Sequence, residues 1–162
     1  MKKPAKRSER LVIGLTGGLG TGKTTVAGML QGFGARVIDA DAVGHELLAP
    51  GTRVHAALVR RFGTRIVCRR SGAIDREALG RIVFSDDAQL KSLNNIMHPA
   101  ILKIVKHRIA AVKKGVVVVD APLLVETGFH RHVDRLVVVT ASRNHQIKRV
   151  QSSRRLSKAA AF

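Results

Sequence analysis

The chain has 162 residues, of which 45% are hydrophobic and 25% charged; this is the size and balance of one globular domain that buries a core without staples, and it excludes a disordered chain. A single cysteine, Cys68, excludes a disulfide framework and points to a reducing, cytoplasmic setting; no chemical role is expected of it. The formal charge of +18 brings polyanionic partners into question, but the lack of Tyr and Trp removes the stacking platforms of single-strand binders, leaving nonspecific attraction to nucleic acid.

The first ten residues carry Lys2, Lys3, Lys6, Arg7 and Arg10 and read as a solvated basic tail. The apolar run behind them, Leu11 to Leu15, is too short for a signal peptide or a membrane span. Leu11 to Thr16 predicts a buried strand that stops at a glycine cluster, Thr24 to Phe33 a helix, and Ala35 to Asp39 a second strand after Gly32 and Gly34. From Ala42 to about Lys114 no strand is expected; Asp75 to Phe84, Asp86 to Met97 and Ile101 to Lys113 space their apolar residues as helices do. Pro50-Gly51, Ser71-Gly72 and His98-Pro99 read as turns or helix boundaries. Gly115 ends the last of these helices, Val116 to Asp120 is β-branched in the manner of a central parallel strand, and Leu136 to Thr140 predicts a fourth strand. Ser142 is a candidate N-cap for a final helix from Arg143 to about Lys158.

Gly17-Gly18-Leu19-Gly20-Thr21-Gly22-Lys23-Thr24 satisfies the G-x-x-x-x-G-K-S/T pattern between a predicted strand and a predicted helix. Glycines let the backbone curl around a phosphate with N–H groups turned inward, where a Cβ would obstruct. Lys23 supplies a positive charge for the β- and γ-phosphates, Thr24 a hydroxyl for Mg²⁺, and the helix its positive end, so ATP with Mg²⁺ is the expected ligand and Thr25 is grouped with the loop. Strands alternating with helices then give an α/β, P-loop nucleoside-triphosphate-hydrolase-like three-layer fold, with a parallel sheet of about four strands and ligands at their carboxyl ends.

Two carboxylates, Asp39 and Asp41, follow the second strand, where either can take a proton from an attacking hydroxyl or order the magnesium shell; strand alternation turns them to the same side, and Asp41 clears the strand. A helix cap or a solvent-facing residue is the alternative for both. Asp120, at the end of the valine run, resembles a Walker B carboxylate and is a second candidate for the metal; the alternative is a turn residue. His98 is a cap or a ligand, and the spacing of the seven histidines provides no zinc site.

With these residues in place the chain resembles the dephospho-coenzyme A kinase family. Gly14 to Ala27 is similar to the family's opening signature, Val37 to Asp41 with His45 to Leu48 and Pro50-Gly51 to its second block, Gly72 to Arg76 with Leu79-Gly80 and Val83-Phe84 to its third, Leu93-Asn94 through His98-Pro99-Ala100-Ile101 to its fourth, and Pro122 to Glu126 to its fifth. The resemblance implies one kinase domain over 11–162 that transfers a phosphoryl group from ATP to the ribose 3′-hydroxyl of dephospho-CoA, the last step of coenzyme A synthesis. It implies that the insertion, about 43–114, helps hold the acceptor, that Asp41 is the base, and that Asp39, His98, Pro122, Leu123, Leu124 and Glu126 line the acceptor site. Arg149 is implied to belong to a lid, about 142–162, whose arginines close over the phosphates.

The family pattern continues with a second arginine where Ser153 stands, then a longer lid, a strand and a helix; here Ser153-Arg154-Arg155 runs on to Phe162. The expectation is an exposed apolar edge on the fourth strand and reduced turnover. The competing readings are a related small-molecule or nucleoside kinase, and a weakly active basic protein that binds nucleic acid.

Overall fold

A computed structural model of the chain describes residues 9–154. The tail residues Lys2, Lys3, Lys6 and Arg7, and the expected stretch of the last helix and lid beyond Arg154, lie outside the described residues. The elements in chain order are β1 (Arg10–Thr16), α1 (Lys23–Gly32), β2 (Arg36–Asp39), α2 (Ala40–Leu47), α3 (Arg53–Phe62), α4 (Arg76–Val83), α5 (Asp87–Ala111), β3 (Gly115–Asp120), β4 (Arg135–Val138) and α6 (Arg143–Arg154). Of the described residues, those up to Asp39 and from Arg108 onward form one compact unit, and Ala40–His107 forms a second.

The first unit is built on a four-stranded sheet in the order β2-β3-β1-β4, with every pair parallel. Parallel neighbours require crossover connections, which is why no two strands adjacent in sequence are joined by a hairpin. Val117, Val118 and Val119 of β3 are at most 1% exposed, so both faces of this strand are covered, the burial that an unbroken β-branched run encodes. On one face, Ala27 of α1 packs with Leu15, Ala35 and Val118, flanked by Ile13, Val26, Leu30 and Val37. Residues at i, i+1 and i+4 of α1 (Val26, Ala27 and Leu30) thus turn one stripe to the sheet.

At the sheet's borders, β4 forms one edge, and Leu136, Val137 and Val138 are all exposed there. It begins one residue earlier and ends two residues earlier than the expected Leu136 to Thr140, because its register with β1 runs only from Arg135 to Val138. Arg10 is not part of a free tail. It opens β1 opposite Gly115, and its Nη1 donates to the carbonyls of Ile109 and Val112 at 2.7 and 2.9 Å. A cation there satisfies carbonyls left over at the C-terminus of α5.

The second unit is helical, as its apolar spacing predicts, and its only pairing in extended form among the described residues is an isolated antiparallel bridge between Val67 and Ile74. Val43, Leu58 and Ile66 are fully buried, with Leu47, Val54, Phe62, Ile74, Leu79 and Val83 close to it. Thr52 caps α3 by accepting from the amide of His55, and Asp75 caps α4 by accepting from Glu77 and Ala78. His98-Pro99 does not separate two helices. Pro99 lies inside the 25-residue α5; it removes the bond to the carbonyl of Asn95, while Met97 and Ile101, on either side of it, both lie against Gly44 of α2.

Candidate active site at the phosphate loop

β1 ends at Thr16, and the loop from Gly17 to Gly22 leads directly into Lys23, the first residue of α1. This is the point where the chain leaves β1 toward β3 and β2 on one side, while β4 lies on the other, the crevice where open α/β sheets bind ligands. Gly20 and Gly22 have φ of 73° and 96°, left-handed values that a side chain would strain. Gly22 is the N-cap of α1, with no side-chain hydrogen bond at the cap and no acid in the first turn. The first amides of the helix are therefore left to an incoming anion.

Two polar side chains shape the loop from within. Thr21 is buried, and its Oγ1 donates to the carbonyl of Gly18 at 2.8 Å, with its amide directed to the same oxygen at 3.3 Å. Gly17 is fixed from the other side, since a Cβ on it would lie 2.6 Å from the carbonyl oxygen of Val139. Leu19 stands out of the loop at 51% exposure, and Thr24 and Thr25 are exposed on the first turn of α1.

Lys23 Nζ is paired with Asp120 Oδ1, with side-chain exposures of 17% and 10%. Asp120 closes β3 in register with both Leu15 of β1 and Asp39 of β2, so two carboxylates end neighbouring strands beside the loop. Asp39 is exposed and is the last residue of β2, whereas Asp41 lies in the first turn of α2, also exposed. The alternation argument for a shared side therefore fails: the helix begins at Ala40, between them, and a rotation of 100° per residue replaces the strand's period of two. Arg149, on α6, donates from Nη1 to the carbonyls of Thr21 at 2.9 Å and Gly20 at 3.3 Å.

The dephospho-CoA kinase family model matches residues 11–161. The chain is 42% identical over 154 residues to the dephospho-CoA kinase of Moorella thermoacetica, covering 93% of this chain and 72% of that one. The crystal structure of TT1252 from Thermus thermophilus superposes with a TM-score of 0.82 at 31% identity, covering 94% of this chain and 76% of that one. The fold of the Campylobacter jejuni dephospho-CoA kinase is also similar, with a TM-score of 0.62 at 23% identity over 94% of this chain and 77% of that one. The chain belongs to the dephospho-CoA kinase family.

The segment after β3 divides by burial. Pro122, Leu123 and Glu126 are exposed, but Leu124 is fully buried, with its methyl groups 3.1 Å from where a Cβ of Gly14 would be. Leu124 is thus a core residue: in a segment wound as turns, one apolar side chain drops onto the glycine of β1 instead of facing a ligand. His98 is half-buried within α5 in the second unit. A residue that the motif missed is Thr16, buried at the end of β1, whose hydroxyl donates to the carbonyl of Pro122 at 2.8 Å. A polar side chain in the buried strand immediately before the loop was its only signal. No helix among the described residues is long and apolar enough to cross a membrane.

Proposed function

We propose that the chain performs ATP-dependent phosphorylation of the ribose 3′-hydroxyl of dephospho-CoA, with Gly17 to Thr24 as the ATP site and Asp41 as the base, in the cytoplasm. The observation that carries the reading is the uncapped start of α1 behind a glycine loop with Lys23 at its mouth, in a chain of this family. Loop amides and the positive end of α1 would hold the β- and γ-phosphates, and Lys23 would move from Asp120 to the phosphate oxygens. Asp41 would accept the proton of the 3′-hydroxyl as its oxygen bonds to the γ-phosphorus; the bond to the β-phosphate oxygen breaks and ADP leaves.

Thr24 and Asp120 offer a hydroxyl and a carboxylate on neighbouring elements, an all-oxygen donor pair suited to Mg²⁺, which in phosphoryl transfer takes most of its ligands from phosphates and water. When bound, the ion would supply positive charge to offset the negative charge of the transferring phosphoryl group. Asp39, in register with Asp120, would order its water shell or face the acceptor, and Pro122, Leu123 and Glu126 offer the exposed surface next to Asp120.

A coupled ADP-release assay with dephospho-CoA tests the reading. Wild type should release ADP only when the acceptor is present, and Lys23→Ala and Asp41→Asn should each lose on the order of a hundredfold in kcat/KM. If both variants match wild type, the site is assigned wrongly. ADP release with a range of nucleosides but never with dephospho-CoA would favour the related small-molecule kinase.

A further inference from the structure

We propose that α6 is a brace for the phosphate loop and that Arg149 is a positioning residue, holding the loop's outward carbonyls so that its amides face the phosphates before ATP arrives. The proposal rests on the loop being the nucleotide site.

In a trans peptide the N–H and the C=O point in opposite directions. A loop that turns its amides toward an anion therefore turns carbonyls outward, and each of these needs a donor. The bonds made here account for four of them. The carbonyl of Gly18 takes Thr21, and that of Gly22 takes the amide of Val26 in α1. Those of Gly20 and Thr21, in the middle of the loop, take Arg149 Nη1 from 128 residues or more along the chain. The carbonyl of Thr21 shares its peptide unit with the amide of Gly22, the N-cap of α1. Pinning that oxygen with a guanidinium fixes the unit's orientation and polarises the N–H on its far side.

Packing supports the same role. A Cβ on Gly20 would lie 2.7 Å from the carbonyl oxygen of Gln146 and 3.0 Å from a methyl of Val150, and one on Gly22 would lie 3.0 Å from Arg149 Nη1. Gln146, Arg149 and Val150 occupy i, i+3 and i+4, one face of α6. The segment is tied at its other end as well, where the amide of Val139 donates to the carbonyl of Thr16 at 2.8 Å. The segment from Val139 to Val150 therefore grips the loop at its start and at its middle.

Hydrogen exchange of the loop amides in nucleotide-free protein tests the brace directly, beside the affinity for a non-hydrolysable ATP analogue without acceptor. Loss of a charge-assisted bond predicts that Arg149→Ala speeds exchange over Gly18 to Lys23 by about tenfold or more and weakens analogue binding by about tenfold. Arg149→Lys, which can still reach one carbonyl, should recover part of both and guards against a variant that merely fails to fold. Unchanged exchange with a lower kcat would overturn the proposal, because Arg149 would then act on the reacting phosphates alone. Unchanged exchange with unchanged kcat would overturn it too. Lys23→Ala separates the underlying reading: if that variant binds the analogue as wild type does, the loop is not the nucleotide site, while the exchange arm still reports on the brace.

Discussion

Lys23 and Asp120 stand 97 residues apart in sequence and form an ion pair at the mouth of the loop, both largely withdrawn from water. The pair keeps the lysine out of solvent and aimed at the crevice while no phosphate is present. It also gives Asp120 a role in the resting protein distinct from metal binding.

Removing either partner leaves the other charge partly buried and alone, which costs more than the pair itself contributes. Lys23→Met and Asp120→Asn should each lower stability by about 1–3 kcal/mol, while the double variant should lose less than the sum, with a coupling energy of about 1 kcal/mol or more. Urea denaturation of the four proteins measures this; additive losses would show that the contact is not energetically real. Asp120→Asn should in addition raise the Mg²⁺ concentration needed for half-maximal turnover.

The glycines of the loop and of α1 are expected to behave in opposite ways. Gly20→Ala places a methyl group against the carbonyl of Gln146 at φ of 73°, and Gly17→Ala meets the carbonyl of Val139, so each should destabilise by about 1–3 kcal/mol and weaken ATP binding. Gly28, exposed in the middle of α1, has nothing within 4 Å of its would-be Cβ. Gly28→Ala should therefore stabilise by about 0.5–1 kcal/mol, because the unfolded chain loses freedom that the helix does not need. Thermal melts of the three variants decide it.

The contrast between these glycines marks what local sequence encodes. Eight contiguous residues specify the loop, a β-branched run specifies β3, and Asp75 announces α4 by capping it, because each pattern acts within a few residues of itself. Pro99 misled because its penalty is local while the packing that overrides it is not. The partners that organise the site, Asp120 for Lys23, Pro122 for Thr16 and Arg149 for Thr21, are each about a hundred residues or more away. No periodicity reports such pairs, and nothing in Pro122 to Glu126 distinguishes buried Leu124 from exposed Leu123 until the turn that separates them is formed.

Thr16→Val tests one of those long-range ties. It keeps the shape of the side chain but leaves the carbonyl of Pro122 without its donor, so a loss of about 1–2 kcal/mol is expected, together with a higher KM as the segment after β3 loosens. Thr16→Ser keeps the hydroxyl and should restore KM more fully than stability, since it lacks the buried methyl. A Thr16→Val variant with wild-type KM would show that the tie does not reach the site.

Cys68 gives a pH-dependent signal in the second unit. The side chain of Ser71 donates to its sulfur, and the amides of Ser71 and Arg70 add to this; together they hold the thiol below its usual value, against smaller opposing effects from desolvation and from Asp75. Hydrogen bonds to the sulfur favour the thiolate, which is also the nucleophile. The rate of reaction with a disulfide reagent should therefore reach half its maximum at a lower pH than for free cysteine, near 8.5 by model-peptide values of roughly that size. Ser71→Ala removes the largest of the three contributions, so its profile should move to higher pH. A Ser71→Ala profile that overlays wild type would mean that the hydroxyl does not reach the sulfur in solution.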